Sequence, residues 1–522
     1  PTSNSGFSKQ AVSIETASTE GERRKVGVEE PYSVDAEVAQ DASRVGDPAQ
    51  TLEKADNRKS SHLITYPDEA LSLIFESYVD ILGNPWTLMQ VCRRWRHVAT
   101  HARRIWSRIL IIYQAPIDFD FLLPCAKRRY QGYEICNTVL RLSSALARAA
   151  GGPLNIRFKL IGLSVLDSSA EAETFSRECV DLLRSSQAYL RIRLLDINIA
   201  RASWIDSLCF DNFEFIALES AWVGRSTPSL CRQIQLTAQR IHALALHKNL
   251  GENFSWDLQM FPDLRNLKVW GRGSRDPELY RLLRGGTHLV DLSLHSMEVS
   301  GEGPLSFLSL QMLRLDDVQF GCRVNLPNLR SLKMSFASVL STGEESIDLP
   351  FLVSLELYGY ALSHKVRIRA PALSTFQLRL YSRTGKGVPH LLDWLEETIK
   401  PAFSTLRSME LEGEFNTSTP FADLLDRCVS LEKLHISRTR TKKSFFEALG
   451  GCLHPRKSGS ALQNSPIVPS LKAFHLDLTD VGRVSTRAAP VKWARMAVRA
   501  RRQGGYPLNE ASARTEASGP PI

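Results

Sequence analysis

Twelve times between residues 192 and 476 the chain writes apolar residues in the spacing L-x-x-L-x-L: "IRLLDI" at 192, "FEFIAL" at 213, "IHALAL" at 241, "LRNLKV" at 264, "LVDLSL" at 289, "LQMLRL" at 310, "LRSLKM" at 329, "LVSLEL" at 352, "LSTFQL" at 373, "LRSMEL" at 406, "LEKLHI" at 431 and "LKAFHL" at 471. Successive starts are 21, 28, 23, 25, 21, 19, 23, 21, 33, 25 and 40 residues apart. One such hexamer means little, because any helix can supply it. Twelve in order at a near-constant interval point to a stack of units, each unable to bury its apolar face alone.

Within each unit the spacing implies a short parallel strand. Alternate residues, such as Leu267 with Val269 or Leu355 with Leu357, point inward and stack on their neighbours. The residues between them face outward, and from their mixed chemistry we expect Lys268, Trp270, His295, Arg314, Lys333, Glu356, Tyr358 and Arg379 to hold a protein partner. Proline shortly before several repeats ("FPDL", "LPNL", "LPFL", "APAL", "VPSL") ends the previous connection before the strand begins. An asparagine is absent from the turn after the hexamer, where Arg272, Met297 and Val318 stand, so the outer segments are expected to vary between helix and loop. The longest interval contains "GGCLHPRKSGSALQNSP", read as an exposed loop.

Upstream the texture differs. Residues 1–60 show no sustained apolar period and are expected to be disordered. In "LITYPDEALSLIFESYVDILG", Thr65 and Asp68 have capping-box spacing, and Leu71, Ile74, Phe75 and Tyr78 form an apolar stripe. A second helix is expected from Asn84 and Pro85, with Leu88, Val91, Cys92, Trp95 and Ala99 on one face. Two such short helices make too small a core, so their surplus apolar surface needs a cover. Residues 113–190 are expected to link this pair to the repeats and cap them; "NTVLRLSSALARAAGGPLNIRF" reads as helix, glycine turn and strand.

Composition narrows the function classes. The formal charge of +9 is unevenly spread: residues 1–60 carry 8 basic and 11 acidic side chains, residues 481–522 carry 8 and 2. The basic end, with "VKWARMAVRARRQ", is expected to be a disordered tail, with a nuclear-import signal next and a helix on an anionic membrane as a further reading. Nine scattered cysteines without a C-x-x-C pair indicate free thiols and no zinc site. No secretory h-region and no run near 20 apolar residues occurs, so neither secretion nor a membrane span is expected. His97 and His101 lack the glutamate of a zincin helix, no phosphate-binding or nucleophile-elbow motif occurs, and Asp316 and Asp317 would face opposite ways. An enzyme is therefore not expected, nor any cofactor or metal.

Residues 62–112, with "PDE" opening the first helix, "IF" within it, "LMQVCRRWRHVA" in the second and Trp106 beyond, resemble the F-box. F-box proteins commonly carry leucine-rich repeats downstream, which the hexamers here resemble. The resemblance implies an α/β chain: a small all-helical F-box module at 61–112, a link and cap at 113–190, an irregular leucine-rich-repeat solenoid at 191–480 and a basic tail at 481–522. It further implies docking on a Skp-type adaptor and through it on a cullin scaffold, making the chain a non-catalytic substrate receptor of a ubiquitin ligase, cytoplasmic or nuclear. Pro67, Leu71, Ile74, Phe75, Leu88, Val91 and Trp95 would form the adaptor face, with Cys92 and Trp106 tying the module to the domain behind it. A scaffold of repeats uncoupled from ubiquitination is the alternative. Nucleic-acid binding through Arg93 to Arg108 is disfavoured by the mixed outward strand residues.

Overall fold

A short turn precedes the strand of each repeat, and the strand's place is set by it. In the computed structural model, which describes residues 66–82, 85–114, 133–161, 170–198, 208–224, 228–247, 256–271, 277–335, 338–339, 346–359, 367–380, 391–413, 416–417, 419–437, 440–441, 443–450, 468–477 and 488–514, the first leucine of a hexamer donates its N–H to a carbonyl three residues back. Leu264 bonds Phe261 at 3.1 Å, Leu352 bonds Leu349 at 3.1 Å and Leu471 bonds Val468 at 3.1 Å. Pro262, Pro350 and Pro469 occupy the second turn position, where their fixed φ suits a tight turn. The disordered segment expected at 1–60, the capping Thr65 and the loop expected at 451–466 lie outside the described residues.

After the turn the chain enters one sheet of 16 strands, all of them parallel. Its first edge runs Glu134–Cys136, then Arg108–Gln114, then Leu154–Ile161; from there every strand pairs with the one before and the one after it in sequence. The last is Glu510–Arg514, against Ala473–Asp477. With eleven α-helices among the described residues the chain is α/β, and its strand-by-strand advance is compatible with a solenoid. Register keeps like positions together: Leu267 lies between Leu244 and Leu292, and Val269 between Leu246 and Leu294, all of them buried. The outer segments do vary, being helices at Pro228–Thr237, Pro277–Gly285 and Leu391–Ile399 but two-stranded ladders at Leu305–Ser306 with Val324–Asn325 and at Ser346–Asp348 with Arg367–Arg369.

In four of the repeats the eighth position turns a corner. Ser296 (φ 50°), Asp317 (φ 56°), Gly359 (φ 148°) and Gly413 (φ 135°) all stand there in the left-handed half of backbone space. In two of these repeats the place that lacks an asparagine is filled by apolar packing, Met297 and Val318 being buried in register with each other.

Several expected boundaries move. "FEFIAL" is no strand: Phe213 and Phe215 are buried in turns, and the strand is Ser220–Val223 within "LESAWV". The sheet begins at Arg108, so "ILII", assigned to the helical module, is already strand, and the 113–190 region adds two more strands to it. The helix, glycine turn and strand read there are present as Val139–Arg148, Gly151 (φ 74°) and Leu154–Ile161. The basic segment expected to be a disordered tail is instead the helix Ala488–Gln503 followed by the final strand. Its apolar residues and Arg501 find a packing surface that periodicity in one short segment does not reveal.

The helical module comprises Asp68–Leu82, Pro85–Val91 and Arg93–His101. The single second helix expected is broken at Cys92, whose extended backbone lets its sulfur accept the Trp95 N–H at 3.4 Å. Cys92 is therefore an exposed cap and not a tie to the sheet. Trp106 is the tie: fully buried, it donates its indole N–H to the Ala99 carbonyl at 2.7 Å. The Arg148 guanidinium stands 4.5 Å from both the Trp86 and Trp106 rings and 3.2 Å from the buried Glu134 carboxylate. One cation thus fastens module, linking helix and first sheet edge.

Replacing Gly413 by alanine is expected to cost about 2 kcal/mol, because a Cβ there would meet the Leu380 carbonyl oxygen at 2.6 Å. Gly505→Ala, where φ is also positive but nothing lies within 4 Å, should cost less; denaturant midpoints of the two variants decide this. Arg148→Met should destabilise by about 3 kcal/mol or more by stranding Glu134. Burial already holds the Glu134 carboxyl above its usual range, opposed by Arg148, so the deficit should shrink on acidification from pH 7.5 to pH 5, and Glu134→Gln in the same chain should restore much of it.

Candidate functional site

The seven residues expected to face an adaptor do not share one environment. Leu71, Phe75 and Leu88 are buried and form the module's own core. Trp95 is half-buried with its ring 4.9 Å from Phe75. Pro67, Ile74 and Val91 are exposed. Because side chains on a helix repeat every 3.6 residues, burial of Leu71, Phe75 and Val79 leaves Leu73 and Ile74 turned away, and these are 61% and 41% exposed. Leu73 stands off the apolar stripe, so periodicity does not single it out. Around this surface the arginines are partly engaged: Arg94 bonds Asp68 at 2.8 Å, and Arg96 bonds the Met89 carbonyl at 3.0 Å.

The eight residues expected on the outward sheet face are brought together in two adjacent rows. By strand register Lys268, Ser293, Arg314, Lys333 and Glu356 follow one another along the first row. Trp270 and His295, and further along Tyr358 and Arg379, stand in the second. The pleat fixes this, because these positions alternate with the buried leucines.

The rows contain two distinct chemistries. Toward the first edge is an aromatic stack: Trp222 and Trp270 lie parallel, 5.2 Å apart with planes at 3°, and Trp270 lies 5.4 Å from the His295 ring. Trp222, Lys159 and Asp196 belong to this group; the repeat pattern as framed does not reveal Trp222 or Lys159, whereas Asp196 holds the fifth, outward position of "IRLLDI". Lys159 sits 5.7 Å from the Trp222 ring centre and 3.3 Å from the buried Asp196. Trp222 is hidden because "FEFIAL" frames its repeat five residues early; the correct frame, Leu218-x-x-Ala221-x-Val223, places it outward and it is 39% exposed.

Further along, charges interlock. Lys333 reaches Glu356 at 2.5 Å, and Arg379 faces Glu356, Glu410 and Glu412 at 3.9, 3.5 and 3.7 Å. Lys333 also lies over the Tyr358 ring at 5.4 Å. Burial, reinforced by the Asp316 charge, pushes the Tyr358 hydroxyl up to about 12. Burial holds His295 below its ordinary value, with Arg314 and Lys268 acting in the same sense and Asp316, at 3.5 Å, opposing them.

What this surface can do chemically is hold a partner by ring edges and fixed charges. Half-buried pairs of this kind contribute orientation more than affinity, while the tryptophans supply contact area at low entropic cost. No group of three or more histidine, cysteine, aspartate or glutamate side chains able to hold a metal ion occurs among the described residues. No protein-family model matches the chain, and no curated protein matches it.

A histidine held below its ordinary value binds its proton later in the folded chain than in the unfolded one. Stability should therefore fall as pH drops below the ordinary histidine range toward the folded value. We expect His295→Phe to lose less stability than the parent between pH 7.5 and pH 5, as read from denaturant midpoints at the two pH values; an identical loss would remove His295 from the explanation.

Proposed function

We propose that this protein is a non-catalytic substrate receptor of a Skp-cullin-F-box type ubiquitin ligase, with an F-box at its helical module and leucine-rich repeats in its sheet. The observation that carries the reading is the outward pair Leu73 and Ile74, apolar and exposed on a helix whose other face is consumed by Leu71, Phe75 and Val79. A helix with apolar side chains left exposed after packing its own core is suited to a hydrophobic partner surface. The sequence "PDE…IF…LMQVCRRWRHVA" supports an adaptor as that partner. The two outward rows of the sheet, aromatic toward one end and charged toward the other, are a separate surface on which a protein substrate is held. No helix among the described residues is long and apolar enough to cross a membrane, and the ligase reading carries a cytoplasmic or nuclear place of action.

A scaffold uncoupled from ubiquitination is the second reading. It is favoured by the burial of Leu71, Phe75 and Leu88, which reduces the open apolar surface.

Capture of the full chain by purified Skp-type adaptor tests the proposal. The intact chain should bind, and Leu73→Asp with Ile74→Asp should abolish binding while leaving the circular dichroism unchanged, since both residues are exposed. A change at Leu88 would be uninformative, because a charge in that buried site unfolds the module. Failure of the intact chain to bind sinks the receptor reading and leaves the scaffold.

A further inference from the structure

We propose that the helix Ala488–Gln503 carries a sequence-independent binding site for the phosphate backbone of a double-stranded nucleic acid. Lys492, Arg495, Arg499 and Arg502 recur at i, i+3, i+7 and i+10, and all four are exposed. At 100° per residue they fall on one narrow arc, and at 1.5 Å per residue they form a row about 15 Å long. Pro490, Ala494, Ala497 and Arg501 lie on the opposite arc and are buried. Between residues 481 and 509 the sequence has seven basic side chains and no acidic one.

The four cations are uncommitted: no side chain among them makes an ion pair or a hydrogen bond among the described residues. This separates them from Arg94, Arg104, Arg193 and Arg379, each of which faces a carboxylate. The row is also held rigid. Arg501, on the buried arc, donates to the carbonyls of Val468, Leu449, Pro469 and Leu471 at 3.1 to 3.4 Å. A Cβ on Gly450 would stand 3.0 Å from Ala497 Cα, so the neighbouring helix Lys443–Gly450 approaches closely. A ligand therefore meets a formed row and does not have to order a disordered tail.

Three polyanionic partners compete for such a row. An anionic membrane would take the apolar arc as its anchor, and that arc is already packed. An acidic protein surface would need an apolar or aromatic anchor at the centre of the contact, and Met496 is the one large apolar side chain exposed on this helix. A phosphate backbone needs neither, because displaced counterions supply the binding. Three guanidiniums among four cations match the fork geometry of phosphate oxygens.

Fluorescence anisotropy of a labelled 20-base-pair duplex, DNA or RNA, against the full chain tests this. If four phosphates are neutralised, affinity should fall roughly 150-fold between 50 and 200 mM salt. Arg495→Glu with Arg499→Glu, both exposed and checked by circular dichroism, should weaken binding at least tenfold and about halve the salt slope. Arg232→Glu, on a different exposed helix face, should leave both nearly unchanged. The proposal falls if neither duplex binds at 50 mM salt, if the double variant binds as the parent does, or if phosphatidylserine vesicles or polyglutamate are retained by the row and the duplexes are not.

Discussion

A single backbone carbonyl in each repeat, at the second position of the hexamer, accepts two N–H groups from the following repeat. His242 takes Arg265 and Asn266, Arg265 takes Val290 and Asp291, and the pattern continues to Lys472, which takes Asn509 and Glu510. The rest of the sheet depends on this contact, because it fixes where each new strand begins relative to the last. Once that point is set, the pleat decides which side chains pack and which look outward. A buried backbone group left without such a partner would cost more than any one side-chain contact in the rows supplies.

The same dependence explains why the two ends are built differently from the middle. An unfinished parallel edge presents unpaired donors and acceptors and invites association. At the first edge Trp106, Arg148 and Glu134 tie a helical unit and a short strand into place. At the last, Arg501 satisfies four carbonyls while its helix leads into Glu510–Arg514. In both cases an arginine reaches where no apolar side chain could, and burial holds Arg501 down at about 10 without removing its charge at neutral pH.

The repeats, their inward leucines and all eight outward residues are legible in the sequence because a period of two within a period near 23 leaves little freedom. What escapes it is set by contacts distant in the chain. "FEFIAL" has the right letters, but Phe213 and Phe215 are apolar for the sake of turns, and the strand frame at Leu218 is carried by small Ala221. The Cys92 break within an apparently continuous stripe turns on one extended residue. The order of residues 488–514 rests on Phe446, Leu449 and the 468–471 turn, none adjacent in sequence. At the expected adaptor face the stripe is apolar as read, yet a stripe does not distinguish the side chains that fill a module from those left over, and Leu73 emerges only from what Leu71 and Phe75 bury.

The turn that restarts every repeat has one more effect. Because each strand is placed by its own turn and by the preceding carbonyl, the length of the outer connection, which ranges from that of a 19-residue interval to that of a 40-residue one, does not alter the spacing of the outward rows. Those rows are a ruler graduated at about 4.8 Å per strand. Insertions can drift through the outer connections without erasing a mark, and a change at Lys268 or Arg314 rewrites one mark without moving the others. Duplicating a whole repeat would do the opposite, leaving every mark intact while shifting the distance between the tryptophans and the interlocked charges, so that a partner reading both would lose its register at once.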